Sequence, residues 1–235
     1  MKKNLILLII IGIFALFSNV FFAQAATPES FFYLSWEADG FVPNDYTGKV
    51  LPVIGSWVKI SIQPLIYIAG QYSDSSLWNY RWYIDDEFSG VENIGSKNFR
   101  FKIKGYNATM KTVKVKITFP NGVEQEKSII IPIVSPRIIM NPIISAINMR
   151  NRIINTNESE IALIATPYFF GSTCDGLNMR WYINKEHQIT DILETNIFVV
   201  KKDYGINSSL DLVVNCLNDS LIRATDQIRI NFLGI

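Results

Sequence analysis

Acidic side chains, one histidine and a set of loop aromatics are the groups from which this chain could build chemistry. Glu37, Asp39 and Asp45 form one acidic group, and Asp85, Asp86 and Glu87 form another. Grouped oxygens of this kind could hold Ca²⁺, but neither group has the D-x-D-x-D-G spacing of a calcium loop, and Asp is a preferred turn former. Carboxylates such as Asp39 and Asp86 could also serve glycoside hydrolysis, which depends on a separation in space that sequence spacing does not set. His187 is the only histidine. A histidine metal site therefore lacks partners, and a Ser-His triad lacks a nucleophile motif. His187 is read as a solvated residue of a turn. No catalytic residue, no metal site and no cofactor are expected.

The aromatics fall in two matching places. Tyr67, Tyr72 and Trp78 precede one strand, and Tyr168, Phe169 and Phe170 precede its counterpart in the second half. Loops on a rigid scaffold often carry recognition, so Tyr67, Tyr72 and Trp78 are the candidate ligand surface. Burial as core caps or interdomain contacts is the competing use of such large side chains.

A repeat positions these loops. Arg81-Trp82-Tyr83-Ile84 returns as Arg180-Trp181-Tyr182-Ile183, an offset of 99 residues. At the same offset Phe99 falls on Phe198, Val113 on Leu212, Val115 on Val214 and Ile129 on Ile228, which predicts a register that holds to the last strand. Apolar and polar residues alternate through Val58-Ile60-Ile62, Phe99-Phe101-Ile103 and Val113-Val115-Ile117, the period of half-buried strands. Pro64 and Pro167 are expected to end the second strand of each copy, because proline cannot donate to a central ladder. Asp85 through Gly90 is expected to form a turn, and Pro120-Asn121-Gly122 a hairpin. No helical period is sustained beyond the leader, so the chain reads as all-β, with Trp82 and Trp181 as the core markers of two sandwiches.

The third-strand tryptophan, the late strand of alternating Val and Ile and the closing hairpin resemble tandem immunoglobulin-like or PKD-like β-sandwich modules of bacterial exported proteins. The resemblance covers about residues 30–235. The opening Trp36-Glu37-Ala38-Asp39, Val42-Pro43, Tyr46, Gly48-Lys49, Leu51-Pro52 and Gly55-Ser56 also looks like a segment of uncharacterised exported proteins of this kind. The implied division is a leader at 1–25, a first sandwich at 26–135 and a second at 136–235. Val134-Ser135-Pro136 is too short for a flexible spacer, so limited freedom between the domains is expected. In an immunoglobulin-like order, Cys174 in the loop after the second strand and Cys216 at the far end of the penultimate strand share one end of the sandwich. A disulfide between them is expected. Cys174 lies seven residues before Trp181 and outside the second strand, which separates these domains from the antibody type.

Lys2 and Lys3, the apolar run Leu5 to Phe22 and the small-residue pattern Ala23-Gln24-Ala25 read as an export signal, a hydrophobic helix cleaved after Ala25. Membrane attachment follows only if this segment is retained, its length being about 18 residues. Of 22 basic residues two lie in the leader, leaving 20 against 21 acidic ones. Such a balance lacks the electrostatic footprint of nucleic-acid binding. The expected role is an exported, non-catalytic binding, adhesion or cell-surface module that meets a protein or glycan through its loops. The alternatives are a pilus-type periplasmic assembly chaperone, which would act by strand addition, and a carboxylate-dependent glycan-active enzyme.

Overall fold

The computed structural model describes residues 30–68, 71–72, 74–105, 108–144, 147–188 and 196–233. Its strands are β1 (Ser30–Ala38), β2 (Trp57–Ile68), β3 (Gln71–Tyr72), β4 (Asn79–Ile84), β5 (Glu87–Ile94), β6 (Asn98–Lys102), β7 (Met110–Thr118) and β8 (Glu124–Pro132), then β9 (Arg137–Pro142), β10 (Met149–Arg150), β11 (Ile153–Thr156), β12 (Glu160–Tyr168), β13 (Leu177–Ile183), β14 (Glu186–Gln188), β15 (Ile197–Lys201), β16 (Asn207–Cys216) and β17 (Arg223–Phe232). The chain is all-β, in two tandem immunoglobulin-like sandwiches. In the first, β1, β2 and β6 face the sheet β5-β4-β7-β8. In the second, β15-β12-β9 faces β10-β11-β17-β16-β13-β14. One compact unit, Phe32–Pro64 with Asp74–Ile235, contains both. The β2–β3 tip belongs to a separate unit, within which Tyr67 pairs with Tyr72 and Ile68 with Gln71.

Alternation explains the cores. Val58, Ile60 and Ile62 from β2, Phe99 and Phe101 from β6, Tyr80 and Trp82 from β4, and Val113, Val115 and Ile117 from β7 are all buried. Every second residue of a strand faces the same way, so each sheet closes its apolar face against the other. Trp82 stacks on Phe99 at 5.4 Å with planes 18° apart, and Trp181 stacks on Phe198 at 4.9 Å and 18°. The repeat therefore reproduces a contact as well as a motif. In the second sandwich, β9 pairs antiparallel with β12, and β11 then crosses to pair parallel with β17. Asp226 ties this crossing together by accepting from the Met140 N–H and pairing with Arg152, whose guanidinium also donates to the Met140 carbonyl.

Four sequence expectations need correction. Pro64 and Pro167 do not end their strands, since β2 continues to Ile68 and β12 to Tyr168. Both prolines lie past the stretch shared with β6 or β15, so the missing N–H breaks no ladder with that neighbour. The turn after β4 is only Asp85-Asp86, both at positive φ, 49° and 66°. A two-residue turn of this kind matches strand twist and tolerates Asp or Asn at positive φ. Glu87–Ile94 is a strand, and Gly90 at φ 81° serves a bulge in it. The second copy turns at Asn184-Lys185, and His187 lies in β14 opposite Tyr182, not in the turn.

The fourth correction concerns register. Trp82 pairs with Val115, but Trp181 pairs with Leu212 and not with Val214. The structural offset on this strand is thus 97, two less than the motif offset. The Asp85 carboxylate accepts from the Thr112 N–H, and the Asn184 amide oxygen accepts from the Ser209 N–H, which confirms the shift. The hairpin that follows is two residues longer, with Cys216 bonding Ile222 where Phe119 bonds Val123. The two changes cancel by β17.

Candidate functional site

Asp39 and Asp45 do not act alike. The Asp39 carboxylate accepts from the Trp57 N–H at 2.7 Å and from the Ser172 hydroxyl at 2.6 Å, and stands 3.9 Å from the Arg100 guanidinium. It is a structural node between the two sandwiches, whereas Asp45 is exposed. Glu37 is exposed near Lys49, which caps the Trp36 ring at 3.5 Å; burial there lowers the lysine pKa, and Glu37 opposes that change. Asp85 and Asp86 are held by Lys111 and Lys114 at 2.6 and 2.7 Å. Each carboxylate with a partner has a fold-level use. His187 rests against the Tyr182 ring at 5.2 Å. Among the described residues, no group of three or more His, Cys, Asp or Glu could hold a metal ion. No helix among them is long and apolar enough to cross a membrane, and the leader lies outside the described residues.

Trp78 is not a surface aromatic. It is 2% exposed and packs edge-on against Phe119 at 4.8 Å, because the short turn Ser75–Leu77 folds it under the β7–β8 hairpin. The side chains of Tyr67 and Tyr72 fall outside the described residues. Phe169 and Phe170 are also buried, and they join the sandwiches. Phe41 N–H donates to the Phe170 carbonyl at 2.6 Å, Phe169 N–H donates to the Phe41 carbonyl at 2.7 Å, and the Tyr46 ring meets Phe169 at 5.6 Å.

At the junction Gly171 lies against the Ile54–Ser56 backbone at ordinary van der Waals distance. A Cβ there would stand 3.4 Å from the Ser56 nitrogen and 3.5 Å from the Ile54 oxygen. The loop bearing Gly171 is fixed by the Cys174–Cys216 disulfide, with Cα atoms 5.4 Å apart, and by Asn218, which donates to the Thr173 carbonyl and to Asp175. Cavities flank the seam on both sides. One of about 640 Å³ is lined by Asp39, Phe41, Phe170 and Cys174, and one of about 620 Å³ by Val53, Val134, Leu221 and Arg223. Asp39→Ala is expected to cost about 1–2 kcal/mol through the orphaned Trp57 N–H and Ser172 hydroxyl. It should also speed limited proteolysis near Val134. A variant with unchanged melting and unchanged cleavage would remove Asp39 from this role.

The second surface is the outer face of β2 and β6. Trp57 and Lys59 point outward from β2, and Arg100 and Lys102 from β6. The alternation around Phe99 and Phe101 already marks Arg100 and Lys102 as an outer basic face. Only strand pairing brings them opposite Trp57 and Lys59, and a sequence pattern does not state which strands are neighbours.

No protein-family model matches this chain, and no curated protein matches it. Among solved structures it is similar to three N-terminal domains of the Highly Immunogenic Outer Capsid protein (Hoc) of bacteriophage RB49, with TM-score 0.47 and 12% identity over 86% of this chain and 59% of that one. It thus spans less than two thirds of the phage chain. It is also similar to fibronectin(III)-like modules of Clostridium thermocellum CbhA, with TM-score 0.30 and 12% identity over 85% of this chain and 93% of that one. A third similar structure is Bacteroides ovatus SGBP-B in complex with a mixed-linkage heptasaccharide, with TM-score 0.27 and 11% identity over 83% and 47%.

Proposed function

We propose that this chain is an extracytoplasmic, non-catalytic binding or surface-structural module, exported by a leader at 1–25. Its domains are 26–135 and 136–235, and its partner is a protein or glycan at the cell surface. The observation that carries this reading is the junction. Reciprocal main-chain bonds between Phe41 and Phe169-Phe170, with Asp39 bridging Trp57 and Ser172, hold the two sandwiches in one unit. Loops and outer faces are thereby pre-positioned, and pre-ordered groups lose less entropy on binding. The carboxylates that could have served glycan cleavage support the fold, Asp39 at the junction and Asp86 beside Lys114.

Purified chain is expected to be retained saturably on immobilised cell-surface glycans or proteins and to leave a glycan library intact on prolonged incubation. Shortened glycan products whose release is lost in Asp39→Asn or Asp86→Asn would replace this reading with carboxylate-dependent hydrolysis.

A further inference from the structure

We infer that the outer face of β2 and β6 is a docking surface for an acidic polysaccharide, with Lys59, Arg100 and Lys102 meeting its anionic groups beside Trp57. The inference rests on the binding-module reading above and names the ligand class and the face. Lys59 pairs directly across the ladder with Arg100, and Trp57 with Lys102. Directly opposed side chains have Cβ atoms about 5 Å apart, and like charges so placed are destabilising. The chain nevertheless holds them there. Arg100 lies over the Trp57 ring at 4.6 Å and is 61% exposed, with Asp39 as its acidic neighbour at 3.9 Å. Among the described residues, no ion pair joins Lys59 or Lys102 to an acid.

Two bland explanations fall short. Charges on an edge strand discourage aggregation, which would account for Arg100 and Lys102 on β6. Lys59 is on β2, which lies between β1 and β6, and has no such duty. Nor does the fold require cations at these positions. In the second sandwich the pair matching Lys59 and Arg100 is Ala162 and Val199, and the next is Ile164 and Ile197. In the second copy only Lys201, which matches Lys102 and stands opposite Glu160, keeps a cation on this face.

The chemistry of the face selects its partner. Three cations sit about 5 Å apart across the strands and about 6.6 Å apart along β6, a spacing suited to a chain of repeating carboxylates or sulfates. Trp57, 37% exposed, and Tyr33, 66% exposed on β1, offer apolar surface to sugar rings. Beyond Lys102, Lys104 borders a cavity of about 390 Å³ whose lining mixes these lysines with Phe88, Phe101 and the acidic Asp85 and Glu87. Nucleic acid, the other polyanion that three such cations would attract, is the outcome that the DNA probe below tests. A bilayer is disfavoured because Ser61 and Asn98, hydrogen-bonded at 2.7 Å, occupy the same face where an inserting surface would be apolar.

The test measures binding of the purified chain to alginate and heparin, with dextran, single-stranded DNA and phosphatidylglycerol vesicles as the other probes. Binding to the two acidic polysaccharides is expected to weaken with salt and to fall roughly tenfold or more in the double variant Lys59→Glu, Arg100→Glu. Trp57→Ala should weaken it as well, and Lys201→Glu, at the matching place in the second sandwich, should not. Circular dichroism of each variant establishes that the fold is intact. Undiminished binding by a folded double variant would overturn the proposal, as would equally tight binding of DNA or vesicles. Retention on dextran that the variants leave untouched would sink this ligand class and keep the binding-module reading. No retention on any probe or on cell-surface material would remove both.

Discussion

Replacing Trp82 with alanine is expected to lower the stability of the first sandwich by about 3–5 kcal/mol, the range for truncating a large buried aromatic. Trp82 is fully buried, stacks on Phe99 at 5.4 Å, and donates its ring N–H to the Ser96 carbonyl at 3.3 Å. Alanine leaves a cavity between the sheets and an unpartnered carbonyl. Trp82→Phe should cost less, because most of the buried area stays and only the N–H bond is lost. Trp181→Ala should act on the second sandwich to a similar extent, given its stacking on Phe198 at 4.9 Å. Urea unfolding read by circular dichroism measures each effect. A loss below about 1 kcal/mol for Trp82→Ala would mean that the stack is not the centre of the core.

Local alternation was readable because the inward face of each strand is written in its own residues. Val58-Ile60-Ile62 and Phe99-Phe101 declare their burial without reference to anything distant. The paired shifts around β16 were hidden for the same reason. A shift of two residues preserves which face is buried, so Leu212 and Val214 fit equally well against Trp181. The short turn at Asp85-Asp86 was obscured by Gly90, which looked like part of a longer turn and instead serves the bulge in β5. Candidate sites were less legible than strands. Trp78 could be placed on a loop by sequence, but its burial depends on Phe119, more than forty residues away. Asp39 looked like any turn aspartate until Ser172 came into reach across the junction.

The Cys174–Cys216 disulfide combines local bracing with a wider consequence. It closes a loop of about 43 residues, the two cysteines being 42 apart in sequence. On the chain-entropy model, removing it as Cys174→Ser with Cys216→Ser is expected to cost the second sandwich about 4 kcal/mol. The loss should reach beyond that sandwich. Cys174 N–H donates to the Gly171 carbonyl and Cys216 N–H to the Ile222 carbonyl, so the bond pins two turns that both face the first sandwich. The first turn carries Phe170, Gly171 and Ser172, which bond or pack against Phe41, Ser56 and Asp39. The second carries Ile222, 4% exposed at the cavity shared with Val53. Freed of the disulfide, these turns gain conformations that do not dock, and the sandwiches should unfold less cooperatively. The oxidised parent is expected to show one urea transition by fluorescence and circular dichroism, and the double variant two, the second sandwich melting first. A variant that keeps a single transition within about 1 kcal/mol of the parent would show that packing alone holds the junction.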